Sequence, residues 1–185
     1  MNTANEKEQL RLKYKAILMK IPESLKNKYN QSLFSKVIDI GEFKTSKNIL
    51  IYHPLSYEVN IFDNLTNIKD KNYFLPKIIN QEIFPCKYIS KSDLMISEYK
   101  ILTPKAATTF QLKNIDLIIV PGLAFTLSGQ RLGQGKGLFD KFLKKYYKEN
   151  KQGKTLSVVY PEQLAENLPT TSHDQKIQKI ITTNK

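Results

Sequence analysis

Cysteine occurs once, at Cys86. A single thiol forms no internal disulfide and builds no thiolate zinc site by itself. Long apolar runs are missing too, since none approaches the roughly 20 residues that span a bilayer. The first 20 residues are interrupted by charge at Glu6, Lys7, Glu8, Arg11, Lys13 and Lys15, so no apolar stretch of a secretory leader stands there. These absences point to a cytoplasmic protein with no membrane partner. Arginine is scarce as well: only Arg11 and Arg131 occur among 29 basic residues.

The charge balance weighs against that scarcity. Lys and Arg exceed Asp and Glu by 29 to 17, a net charge of +12. Such a surplus raises nucleic acid as a partner. The lysines, however, are spread along the chain rather than gathered into a basic arm. No RNP-type, helix-turn-helix or zinc-finger pattern occurs. A nucleic-acid-binding protein is therefore the lesser alternative. With 185 residues, 41% hydrophobic and 25% charged, the chain suits one globular domain, expected over 1–185. No internal repeat divides it, and no linker rich in Gly, Pro or Ser.

Apolar spacing over 6–21 (Leu10, Tyr14, Ile17, Leu18, Ile21) predicts a helix that Pro22 ends. Ser24 is expected to cap a second helix carrying Leu25, Tyr29, Leu33 and Val37 inward, so that two helices over 6–38 pack on the remainder. Short apolar runs at Ile49–Tyr52, Tyr73–Leu75 (closed by Pro76), Leu117–Val120, Thr155–Tyr160 and Ile177–Thr183 read as strands. Between them fall a crossover helix within Ile61–Lys69, a helix over Leu138–Asn150 and a brief one near Glu162–Asn167. Strands alternating with helices predict an α/β fold, a three-layer αβα domain with a mainly parallel sheet. Ligands of such folds sit beyond the carboxyl ends of the strands, where the loop after Val120 begins.

That loop holds five of the chain's seven glycines, between Gly122 and Gly137. Gly133, Gly135 and Gly137 alternate, which lets the backbone turn tightly and bring its amides close to a ligand. Amides followed by a helix N-terminus attract anions, and Arg131 and Lys136 add charge suited to phosphate. The pattern is neither a Walker A loop nor a dinucleotide fingerprint. Read by itself, it is either a phosphate cradle or a flexible surface loop that carries a lysine.

The stretch Asp116–Leu143, DLIIVPGLAFTLSGQRLGQGKGLFDKFL, resembles the signature of the 5-formyltetrahydrofolate cyclo-ligases, also called methenyltetrahydrofolate synthetases. Lys7-Glu-Gln-Leu-Arg11, Tyr52–Val59, Phe74–Lys77, Leu168–Asp174 and Ile180–Thr182 resemble other elements of that family, in order. The resemblance implies an enzyme that uses ATP and Mg2+ to cyclise 5-formyltetrahydrofolate to 5,10-methenyltetrahydrofolate, releasing ADP and phosphate. A homologue that binds folate or nucleotide without catalysis is the other outcome of that resemblance. It further implies small-molecule partners and action as a monomer.

The site residues follow from the same resemblance. ATP is expected on Lys7, Arg11, Arg131, Leu132, Gly133, Gln134, Gly135, Lys136, Gly137, Leu138 and Phe139, with Arg131 and Lys136 catalytic. The folate is expected on Tyr57, Glu58, Gln134, Gly135, Lys136, Gly137 and Leu138, and the metal on Asp140 and Asp174. His53 is expected to pack at a strand end, and His173 to shape the turn beside Asp174. Leu138-Phe139 replaces the family's tyrosine pair and loses two hydroxyls. Thr171 stands where an acidic residue is common, and Lys100–Pro104 keeps the family pattern poorly.

Overall fold

A proline that cannot continue a helix separates the two long helices that lead the chain. In the computed structural model, which describes residues 3–106 and 108–184, these are α1 (Thr3–Lys20) and α2 (Glu23–Asp39). The expected span of 6–38 thus widens by a few residues, and the expected termini Met1 and Lys185 lie outside the described residues. Ser24 does not cap α2. Pro22 holds the cap position, and its carbonyl accepts from the amides of Leu25 and Lys26, both at 3.0 Å. Ser24 falls inside the first turn, two residues past the cap position.

The short helix α3 (Gly41–Thr45) leads into β1 (Asn48–Leu50), and α4 (Phe62–Thr66) carries the crossover to β2 (Asn72–Ile79). Pro76 does not close β2. The strand runs through it and pairs antiparallel with β3 (Glu82–Lys87), with Pro76 directly opposite Pro85. Directly opposed residues exchange either both amide bonds or neither, so two facing prolines are tolerated where neither bond is due. A small hairpin follows, β4 (Leu94–Ile96) against β5 (Leu102–Pro104), then β6 (Leu117–Ile119).

The glycine-rich segment is not wholly irregular, because β7 (Ala124–Phe125) and β8 (Arg131–Leu132) pair within it. After it come α5 (Leu138–Glu149), β9 (Lys154–Val158), a 3-10 turn at Pro161–Gln163 and β10 (Lys179–Ile181). The central sheet has the order β10-β9-β6-β1-β2-β3, parallel throughout except for β3 at the edge. This is the α/β fold with a mainly parallel sheet that the alternation of runs predicts.

Side chains along each strand alternate between two separate cores. Ile49, Ile51, Tyr73, Leu75, Leu117, Ile119 and Leu156 pack with Leu18, Leu33, Val37 and Leu65, from α1, α2 and α4. Leu50, Phe74, Ile118 and Val120 pack with Phe142, Leu143 and Tyr146 of α5. Helices thus cover both faces, giving three layers. β1 and β6 are parallel neighbours, so the segments leaving them, Ile51–Glu58 and Pro121–Gly137, emerge at the same edge of the sheet. That edge carries the candidate site.

Candidate functional site

Two loops, one helix face and a C-terminal turn enclose a cavity of about 610 Å³ at the carboxyl edge. Every residue that the sequence assigns to ATP, folate or metal lines it: Lys7 and Arg11, Tyr57 and Glu58, the run Arg131–Asp140, and Asp174. Positions up to 167 residues apart in the chain thus meet at one place.

The glycine loop is shaped by close approach. Gly135 and Gly137 adopt φ of +101° and +66°, a region that L side chains rarely enter. A Cβ on Gly133 would lie 2.7 Å from Arg131 Nη1, so the backbone passes directly over that guanidinium. Gly137 opens α5, and the amides of its first turn are available to an anion. Tyr146 anchors the other end of the helix by donating its hydroxyl to the Ile115 carbonyl at 3.0 Å. Asn150 donates to the same carbonyl at 2.7 Å.

Arg131 is buried, and it holds the site together from beneath. It donates to the Pro121 carbonyl at 3.2 Å and to Asp140 Oδ2 at 2.9 Å, with its guanidinium 5.8 Å from the Phe139 ring centre. Its Nε has no hydrogen-bond partner among the described residues. Asp140 also accepts from the Gln175 amide at 3.2 Å, which brings the neighbouring Asp174 alongside α5.

Helix α1 supplies the opposite wall. Lys7 is not on a solvated face: it is 9% exposed, and its ammonium contacts Asp174 Oδ2 at 2.5 Å. The same oxygen accepts from the Thr171 amide at 2.6 Å and lies 3.2 Å from its hydroxyl. Burial alone would raise the Asp174 pKa, but the Lys7 ammonium and the Thr171 donors outweigh it and hold the carboxyl below its ordinary range. Thr171 here serves Asp174 as a donor. Arg11 reaches the glycine loop, donating Nε to the Gly133 carbonyl at 3.1 Å.

Glu58 is buried, although a loop glutamate is ordinarily solvated. Burial raises its pKa, and the Leu55 amide at 3.0 Å and the Gln134 side chain draw it partly back. Gln134 also donates to the Tyr57 hydroxyl at 3.1 Å, so the glycine loop and the Glu58 loop touch across the cavity. His53 packs as expected, 5.0 Å from the Phe62 ring centre, and it also lines the cavity. His173 is exposed in the turn before Asp174 and lies 3.2 Å from the Ser172 hydroxyl.

One wall includes part of the segment Lys100–Pro104, to which the sequence assigns no ligand. The turn of the β4–β5 hairpin, Ser97–Ile101, closes the cavity from outside, with the Tyr99 ring centre 3.9 Å from the Lys136 ammonium. Lys100 takes φ +58° there without being glycine, so the turn carries no turn signal. Ile78 and Ile83 add an apolar floor from β2 and β3.

Asp140 and Asp174 present hard oxygen donors on one wall, as magnesium requires. Among the described residues no three His, Cys, Asp or Glu side chains converge as a metal cluster. Asp140 Oδ2 is held by Arg131, Asp140 Oδ1 by the Gln175 amide and Asp174 Oδ2 by Lys7, so an ion that takes one or two carboxylates with phosphate and water would share these oxygens with those donors. Among the described residues, no helix is long and apolar enough to cross a membrane.

The sequence pattern of the 5-formyltetrahydrofolate cyclo-ligase family matches residues 3–183. The chain is 24% identical to the 5-formyltetrahydrofolate cyclo-ligase of Haemophilus influenzae, over 98% of this chain and 99% of that one. It is 30% identical to the enzyme of that name from Mycoplasma genitalium, over 75% of each chain. Its fold is similar to the NMR structure of Aquifex aeolicus 5,10-methenyltetrahydrofolate synthetase. There the TM-score is 0.83 at 30% identity, covering 95% of this chain and 89% of the other.

Proposed function

Because the chain belongs to the 5-formyltetrahydrofolate cyclo-ligase family, a family of ligases, we propose that it cyclises 5-formyltetrahydrofolate to 5,10-methenyltetrahydrofolate at the expense of ATP. The observation that carries this reading is the union, in one cavity, of an anion-type glycine loop and a buried carboxylate. One half suits a polyphosphate, the other a ring system rich in N–H donors. The Gln134–Tyr57 contact sets the two halves side by side.

The chemistry needs both halves. A formamide carbonyl is a poor electrophile, and its oxygen is a poor leaving group. Transfer of the γ-phosphoryl group to the formyl oxygen releases ADP and gives an imidate phosphate. The neighbouring aniline nitrogen then attacks the formyl carbon and loses its proton. The carbon–oxygen bond breaks, and phosphate leaves with the former formyl oxygen.

The protein's part is positioning and charge stabilisation. Glu58 accepts the pterin N–H groups and fixes the formyl carbon. Lys136, with the amides around Gly133–Gly137, follows the charge of the transferred group. Lys7 and Arg11 hold the remaining phosphates from α1, while Arg131 keeps Asp140 and the loop in register. A magnesium ion on Asp140 and Asp174 would supply charge neutralisation for the phosphates. The whole chain acts in this reading as one catalytic unit.

The test is direct. Purified protein given 5-formyltetrahydrofolate, ATP and magnesium is expected to form the methenyl chromophore. Folded protein that forms none overturns the reading. Lys136→Ala is expected to lose turnover on the order of a hundredfold, with an unchanged melting temperature. Near-normal turnover would make the loop a mere connector.

A further inference from the structure

The Ile51–Ile61 segment lacks helix and strand throughout, yet it must hold Glu58 buried. Its backbone is fixed from outside at alternate residues. The Lys26 ammonium donates to the Ser56 carbonyl at 2.9 Å. The Tyr160 hydroxyl shares its proton between the Glu58 carbonyl at 3.2 Å and Asn30 Oδ1 at 3.0 Å. The same Asn30 oxygen accepts from the Asn60 amide at 3.1 Å. Lys26 and Asn30 are four apart on α2, so both face the loop from one side of that helix.

Lys26 is the costly member of this bracket. It is 8% exposed, and burying an ammonium is unfavourable unless it finds acceptors. Its anionic neighbour, Glu23, lies 3.9 Å away with a side chain that is 77% exposed, a contact that solvent screens. The close acceptor is the backbone carbonyl two residues before Glu58. The loop's own contacts start there: the Glu58 amide donates to the Leu55 carbonyl at 2.9 Å, and the Leu55 amide donates to Glu58 Oε2 at 3.0 Å. This small turn orients the carboxylate.

We infer that Lys26 is a positioning residue for folate recognition, acting through the Ser56 carbonyl to orient Tyr57 and Glu58. This rests on the proposed cyclo-ligase reading. The mechanism leaves Lys26 unused: it does not line the cavity, and it belongs to a helix that supplies none of the phosphate-facing groups. The bracket is one-sided, because the ATP half is held by α1, α5 and the C-terminal turn. Loss of Lys26 therefore affects one substrate and spares the other.

The experiment compares wild type, Lys26→Met and Lys26→Arg in steady-state turnover, varying each substrate with the other saturating. Lys26→Met is expected to raise KM for 5-formyltetrahydrofolate about tenfold, the scale of losing one charged hydrogen bond. KM for ATP and kcat are expected to stay within about twofold of wild type. Lys26→Arg keeps a donor and is expected to restore most of the folate KM. In a cycle with Glu58→Gln, the second loss is expected to add little, because both act through one carboxylate.

An unchanged folate KM overturns the inference. So does an equal rise for both substrates, or full additivity with Glu58→Gln. Should Lys26→Met not fold, Lys26→Gln, which is too short to reach, reads the same quantities. A wild type without turnover overturns the cyclo-ligase reading instead. Amide exchange then decides the positioning role alone, with faster exchange at Glu58 and Asn60 in the variant expected and unchanged exchange overturning it.

Discussion

A buried ammonium against a half-buried carboxylate is worth keeping only where each leaves the other no better partner. Lys7 and Asp174 meet that condition, since Asp174 also draws two donors from Thr171 while Lys7 has no other hydrogen-bond acceptor among the described residues. Asp174→Asn leaves the Lys7 ammonium buried with only an amide oxygen, and is expected to cost about 1–3 kcal/mol. The pH dependence has a definite sign. The folded-state pKa of Asp174 is lowered beneath its ordinary 3.8, so its stabilisation is present above that value and fades as pH falls through the lowered one. Urea unfolding of wild type and Asp174→Asn from pH 7 to pH 3 is expected to show a gap that narrows only at the acid end. A gap that stays constant would show that the ion pair contributes nothing to folding. Glu58 runs the other way: its pKa is raised by burial, so its protonated form stabilises the fold and that contribution is lost as pH rises through the raised value.

At the scale of elements, the β2–β3 hairpin shows how a sequence can hide a turn. Asn80 and Gln81 form its two-residue connection, with φ of +50° and +62°. That geometry favours Asn followed by Gly, and Gln in the second place bears a left-handed cost of about 1 kcal/mol. Gln81→Gly is expected to relieve it and to raise the melting temperature by about 2–4 °C, a shift that calorimetry resolves. No change would mean that the backbone there is not strained. The parallel strands were legible because residues buried on both faces form continuous apolar runs such as Leu117-Ile-Ile-Val120. β3, β4 and β5 were not, because Pro85 interrupts one, two of them are only three residues long, and Lys100 turns without glycine. The candidate residues were legible as a set through the glycine loop and the family resemblance. Lys26 and the Tyr99 turn were not, because one acts on a backbone carbonyl and the other arrives from a hairpin that the pattern of runs does not announce.

For the whole molecule, the proposed nucleotide half of the cavity joins three parts: α1 through Lys7 and Arg11, the glycine loop, and the turn carrying Asp174. A ligand that binds across such parts stabilises the folded state by mass action, because the unfolded chain has no site. At a concentration about a hundred times its dissociation constant, ATP is expected to add about 2.7 kcal/mol. For a chain of this length that corresponds to roughly 5–10 °C in melting temperature. The shift is expected to grow with the logarithm of ATP concentration and to shrink in Lys7→Met and Arg11→Met. Amide exchange should slow in the first three turns of α1, where Leu12 is exposed. Stabilisation by ATP without slower exchange in α1 would place the phosphates on the glycine loop alone and remove the helix from the site. The +12 charge makes the control necessary, since any polyanion is drawn to such a surface. Inorganic tripolyphosphate at equal ionic strength is expected to give a smaller shift than ATP, because the cavity also has apolar floor for a base. Equal shifts would reduce the site to a general anion trap.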